Sequence, residues 1–247
     1  MSLPLARGSV LGATVSAAVC VTILLGLGFW QLERKTWKEN LIETVTQRIA
    51  RAPGGLPSRG DWPRLTQGDD EFSRVVFTAE FLPGEEALVY TSGSSLRPDI
   101  KVPGYWVFAP ARLADGAVVL VNRGFVPMER KGLATRGEGA PRGNVQIVGA
   151  LRWPEARGLF TPADDPKTDV WYVRDTAAMA AAKKWAVTAP FYIDQEAPIP
   201  AGGLPLPGKI EVHLPDNHLQ YAITWFGLGL GLAGVYAFWL MGRLRRV

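Results

Sequence analysis

GSVLGATVSAAVCVTILLGLGFWQL, Gly8–Leu32, and LQYAITWFGLGLGLAGVYAFWLMG, Leu219–Gly242, are two uncharged apolar stretches that bracket everything else in the chain. Each exceeds the ~20 apolar residues needed to cross a hydrocarbon core. The charges divide around them very unevenly. Residues 33–218 carry 23 Lys+Arg and 23 Asp+Glu, a formal charge of zero, so the net +4 rests on Arg7, Arg243, Arg245 and Arg246. Basic residues in short flanking tails are retained in the cytoplasm. The expected layout is therefore a cytoplasmic tail at 1–7, a span at 8–32, a domain at 33–218 on the far side, a span at 219–242 and a basic cytoplasmic tail at 243–247.

A cleaved signal peptide has an apolar stretch of about 7–15 residues and a small-residue cleavage site. The first segment is longer, and Phe29-Trp30 stands where cleavage would fall. Val19 before Cys20 argues against a lipoprotein cut. Arg34, Lys35 and Lys38 blur the orientation of the first span, but the arginines after the second fix it. Cys20 is the sole cysteine, so the domain has neither disulfides nor a thiolate metal site. The pI of 9.3 reflects the tails and not a nucleic-acid surface. Membrane lipid is the expected partner, and nucleic acid is not.

Within the domain, Leu32, Trp37, Leu41, Val45 and Ile49 form a helical stripe that carries the first span onward to Ala50. Short β-branched and aromatic runs follow at Phe72–Phe81, Glu86–Thr91, Tyr105–Arg112, Ala117–Val126, Val145–Trp153, Val170–Val173, Phe191–Asp194 and Ile210–His213. Asp115-Gly116 is a hairpin signal. One helix is expected at Asp175–Trp185, capped by Asp175 or Thr176. This pattern predicts an antiparallel barrel or sandwich. Gly132–Gly143 and Pro198–Pro207 read as exposed loops, and Glu85-Glu86 and Asp164-Asp165 as solvated turns.

Only two histidines exist. His213 reads as a solvent-facing strand residue cut off from the second span by Pro215. His218 falls in the first turn of that span, with Asp216 and Asn217 as N-cap candidates and Asn217 with Gln220 spaced as a capping box. The positive helix end favours a neutral imidazole, the form that ligates iron. The other reading is an interfacial histidine that only reaches toward the headgroups. Trp30, Gln31, Tyr221 and Trp225 fall near the same membrane face, where aromatics also act as anchors. Gly227, Gly231 and Gly234 share one helix face and predict close packing there. A Ser/Lys peptidase needs a serine activated by a buried lysine. The available residues are Ser94, Ser95 and Lys101, in a stretch that also reads as a simple loop.

Five segments then occur in a characteristic order: Gly28–Lys35 (GFWQLERK), Gly104–Val107 (GYWV), Val119–Pro127 (VLVNRGFVP), Trp171–Asp175 (WYVRD) and Asn217–Trp225 (NHLQYAITW). They resemble the Surfeit locus protein family of cytochrome c oxidase assembly factors over almost the whole chain. Asp216 and Phe125 depart from the family pattern, where Asn and Trp are usual; both substitutes keep the capping or aromatic character. The resemblance implies a non-catalytic membrane factor that helps deliver haem a to the oxidase core subunit, with haem a synthase as a second partner. It also implies that His218 binds the haem iron and that Arg123 and Arg174 match family motifs, where they would pair with haem propionates or form strand-edge salt bridges. Trp30, Gln31, Tyr221 and Trp225 complete the expected cofactor-binding set. A scaffold that never touches haem is the alternative. The initiator Met, the short basic tail and the lack of an Arg/Ser-rich leader lead us to expect a bacterial inner membrane rather than a mitochondrial one, with the domain in the periplasm.

The charge asymmetry makes a direct prediction. A reporter fused after Val247 should be active only if it works in the cytoplasm, and one inserted at Gly137 only if it works outside. Periplasmic alkaline phosphatase activity from the C-terminal fusion would rule out the two-span layout.

Overall fold

The computed structural model describes residues 7–94, 96–136, 141–211 and 216–245. They form two compact units, Met1–Glu43 with Leu214–Val247, and Thr44–His213.

The first unit is built on two helices, α1 (Arg7–Ala50) and α4 (His218–Leu244), both long and apolar enough to cross a membrane. The chain is a membrane protein. α1 is a single helix of 44 residues, so the span does continue beyond Leu32. Pro53, which disfavours helix in the residue before it, follows shortly after its end. The helices run antiparallel, because contacts pair rising numbers in α1 with falling numbers in α4. Thr14 Oγ1 meets Tyr236 Oη at 2.5 Å, Gly229 lies against Leu24 and Leu25, and Phe226 stacks edge-on to Phe29 at 5.2 Å. A Cβ on Gly28 would lie 2.5 Å from the Phe226 ring. Close packing between α1 and α4 therefore falls on Gly28 and Gly229, whereas a Cβ added at Gly227, Gly231 or Gly234 would meet nothing within 4 Å among the described residues, so that stripe does not face α1. The reason is geometric. The seam follows Ala222, Phe226, Gly229 and Tyr236 at helical three- and four-residue steps, and the other glycines point off it.

The second unit is β-rich. Its strands are β1 (Gly54–Gly55), β2 (Arg74–Phe81), β3 (Ala87–Thr91), β4 (Gly104–Leu113), β5 (Val118–Pro127), β6 (Asn144–Arg152), β7 (Val170–Trp171) and β8 (Tyr192–Ala197). Its short helices are α2 (Gln67–Asp70) and α3 (Thr176–Lys183). The sheet order is β1-β2-β6-β8-β5-β4-β3-β7, and a further pairing of β2 with β4 closes β2, β6, β8, β5 and β4 into a barrel. The expected barrel is present and mostly antiparallel, with parallel pairs at β1–β2, β3–β7 and β5–β8.

Strands β4 and β5 explain the core. Gly104–Ala111 and Val118–Val126 are buried without interruption, so both faces of this hairpin are covered. Strand alternation splits their side chains between two clusters. Ala109, Ala111, Val119 and Val121 join Phe77, Ile147, Leu151 and Ile193 inside the barrel, where small alanines leave room for closure. Phe108, Leu120 and Trp106 point the other way, under Met179 of α3 and beside Trp171. The Asp115-Gly116 turn joins the two strands as expected, with Asp115 Oδ1 accepting from Ala117 N–H at 3.0 Å. Asp175 caps α3 by accepting from Ala178 N–H at 2.9 Å.

Several expectations are corrected. Ile210 lies outside any strand, and His213 is outside the described residues. The Gly132–Gly143 loop contains a buried arginine, Arg136. Glu86 is not solvated: it binds Arg123 at 3.1 Å and Arg136 at 2.9 Å. Glu85 accepts from Trp185 Nε1–H at 2.7 Å, and Asp164 pairs with Arg157. Charges near an apolar core are retained only when paired, and local composition does not reveal those distant partners.

Gly124 provides a test of the packing. Its φ is +123°, and a Cβ there would lie 2.3 Å from the Leu206 backbone. Gly124→Ala should destabilise the domain by roughly 2–4 kcal/mol, read by urea unfolding followed through tryptophan fluorescence. Gly143→Ala, at a φ of +75° with open space around it, should cost only about 1 kcal/mol. Equal losses would refute the steric account.

Candidate functional site

Helix α4 starts at His218. Asn217 makes no side-chain capping bond, so the expected box with Gln220 does not form. Asp216 caps instead, its Oδ1 accepting from His218 N–H at 2.9 Å. A carboxylate satisfies this helix end better than an amide, because the exposed N–H groups there carry partial positive charge.

The seam between α1 and α4 brings His218 against Gln31, 187 residues away in sequence, with Nδ1 and Gln31 Oε1 2.7 Å apart. With the amide oxygen as acceptor, Nδ1 carries the proton and Nε2 keeps its lone pair. This is the outer-shell arrangement that orients a ligating histidine and sets its tautomer. His218 is half-buried, while Trp30 and Tyr221 are each 54 % exposed. Trp225, one helical turn beyond Tyr221, is half-buried. With Nδ1 held by Gln31, Nε2 of His218 would be the nitrogen able to ligate a haem iron.

Arg123 and Arg174 lie in the β-rich unit and are already engaged. Arg123, on β5, is 2 % exposed, ion-paired with Glu86 and stacked 5.1 Å from the Phe81 ring. Burial depresses its proton affinity, Glu86 offsets part of that, and neighbouring Arg136 adds to the depression. A guanidinium so enclosed is not presented to an incoming carboxylate. Arg174 pairs with Glu155 at 3.1 Å and lies 5.4 Å over the Trp106 ring. Desolvation opposes its charge, but Tyr192, Asp194 and Glu155 outweigh that and raise its pKa above the usual arginine value. Tyr192 is pushed up to about 12, first by burial and then by Asp194. Arg97, Arg152, Arg174, Asn122, Asp194 and Gln195 line a cavity of about 20 Å³ here, which is the size of one water. Both family-motif arginines are thus ion-paired within the β-rich unit, Arg123 with a buried glutamate and Arg174 with a half-exposed one.

Among the other candidates, Ser94 Oγ accepts from Leu96 N–H at 3.2 Å within a turn, and Lys101 is exposed. A serine-activating lysine needs an apolar pocket. Ser95 and His213 are outside the described residues. The sequence placed Gln31 near the site, but its bond to His218 depends on helix register.

These features define a membrane protein in which two apolar helices flank a β-barrel domain and hold a histidine–glutamine pair at their junction. Residues 18–230 match the SURF1 family, and the chain belongs to that family, which is known for cytochrome c oxidase assembly. It is 34 % identical to a SURF1-like protein of Monosiga brevicollis, over 87 % of this chain and 83 % of that one. It is 33 % identical to Surfeit locus protein 1 of Rattus norvegicus, over 82 % of this chain and 67 % of the other. The Homo sapiens protein of the same name is 31 % identical, over 82 % of this chain and 69 % of its own length. All three relatives are eukaryotic, so they lend no support to the expected bacterial source.

The tautomer can be read directly. With His213→Asn leaving a single histidine, ¹⁵N NMR should show His218 protonated at Nδ1. Adding Gln31→Leu should give a mixture of tautomers with helix content unchanged. An unaltered spectrum would show that Gln31 does not fix the ring.

Proposed function

We propose that this chain is an assembly factor for haem-copper cytochrome c oxidase that holds haem a transiently through His218 Nε2 and passes it to the core catalytic subunit. Family membership supports the oxidase. The observation that carries the haem reading is the Gln31–His218 bond, which leaves one ring nitrogen available to iron. Haem supplies an iron centre that takes imidazole ligands; the chain supplies the rest. Gln31 holds the Nδ1 proton, Asp216 fixes the first turn of α4, and Trp30, Tyr221 and Trp225 offer flat apolar surface to the ring. Haem a synthase is the donor in this scheme. The site lies at the outer interface of the inner membrane that houses the oxidase, and the β-barrel domain lies in the periplasm or intermembrane space. That placement follows from the basic residues confined to the tails.

His218→Ala should abolish haem co-purification from cells that make haem a, while membrane insertion stays intact. Gln31→Leu should weaken haem affinity about 10–100-fold, the usual cost of losing an outer-shell partner. Full occupancy with an unaltered absorption spectrum in His218→Ala would refute the ligand assignment, and the chain would then act as a haem-independent scaffold.

A further inference from the structure

The tightest contact of the α1–α4 seam lies one helical turn from the residue that holds the imidazole. Gly28 is buried, and a Cβ there would lie 2.5, 2.7 and 2.8 Å from three atoms of the Phe226 ring, so the ring rests on bare backbone. Phe29 meets the same ring edge-on, with centroids 5.2 Å apart and planes at 75°. Two consecutive residues of α1 therefore hold it. Any side chain at Gly28 must either part the helices or turn the ring away from Phe29.

This contact and the His218–Gln31 bond belong to one stripe on each helix. Gly28 and Gln31 are three residues apart, and His218, Ala222 and Phe226 follow at four-residue steps, with Ala222 1 % exposed. Helical side chains lean toward the N-terminus, so the Phe226 ring projects toward the His218 end of α4.

The hydrogen bond does not set this alignment by itself. Between helices in hydrocarbon such a bond is a weak tie, because separated helices find other polar partners, whereas packing on small residues decides how closely two backbones approach. The farther seam contacts leave slack. A Cβ at Gly229 would lie at an ordinary 3.6 Å from Leu24 and Leu25. Thr14, which meets Tyr236, is about 21 Å from Gly28 along α1 at 1.5 Å per residue.

We infer that Gly28 and Phe226 are positioning residues for His218: the ring seated on the glycine sets the helix separation at which Gln31 Oε1 reaches Nδ1, and so which ring nitrogen is offered to iron. The consequence for iron rests on the proposed function; the consequence for the tautomer does not.

The experiment uses the full chain in nanodiscs, in the single-histidine His213→Asn background, read by ¹⁵N NMR. Gly28→Val should give the mixed tautomers expected of Gln31→Leu, with helix content unchanged. Adding Phe226→Ala, which returns the volume that valine takes, should restore protonation at Nδ1. Gly227→Val, the same exchange where a Cβ meets nothing within 4 Å, should match the parent. Phe226→Ala alone removes the ring without a clash and should also give a mixture, which keeps the test open should Gly28→Val not insert. In haem a titrations Gly28→Val should lose affinity by the same factor as Gln31→Leu, about 10–100-fold. The two combined should lose no more than either, because both act through one bond. Protonation at Nδ1 alone in Gly28→Val or in Phe226→Ala would overturn the positioning role, as would a mixture in Gly28→Val that Phe226→Ala fails to reverse. Tautomer shifts with haem affinity unchanged would keep the positioning role and count against ligation by His218.

Discussion

The contact of the Phe226 ring with Gly28 sets how α1 and α4 lie against each other, and the candidate site depends on that register. Because a Cβ at Gly28 would lie 2.5 Å from the ring, the ring fits only where the first helix presents a bare backbone. Gly229 against Leu24 and Leu25, and Thr14 with Tyr236, repeat the same alignment farther along. A slip of one helical turn moves a residue by about 5.4 Å, enough to part His218 from Gln31. In a hydrocarbon core lipid is as apolar as leucine, so close fit and hydrogen bonds decide where helices meet.

The β-rich unit answers a different constraint. Its central hairpin is buried on both faces, so it needs one layer of side chains to fill the barrel and another to pack beneath α3 and Trp171. Without disulfides, packing and paired charges hold it together. The Arg123–Glu86–Arg136 group and the pairs of Arg152 with Glu71 and Asp194 sit at the margins of these layers. Removing one partner from such a group leaves a buried charge uncompensated, which is costly. This accounts for an arginine at the family-motif position of Arg123, buried against Glu86.

By itself the sequence determined what depends on neighbouring residues. Hydropathy marked both spans, alternation marked most strands, Asp115-Gly116 marked the hairpin, Asp175 marked the α3 cap and five ordered motifs marked the family. Tertiary structure decided what depends on distant ones. It chose Gly28 and Gly229 over the Gly227, Gly231 and Gly234 stripe, and Asp216 over Asn217 at the start of α4. It also enclosed Arg123 in ion pairs. The physical reason is that turn chemistry and periodicity act within a few residues. A bond such as His218–Gln31, spanning 187 positions, exists only once the two helices have taken one register out of several that their apolar surfaces would allow.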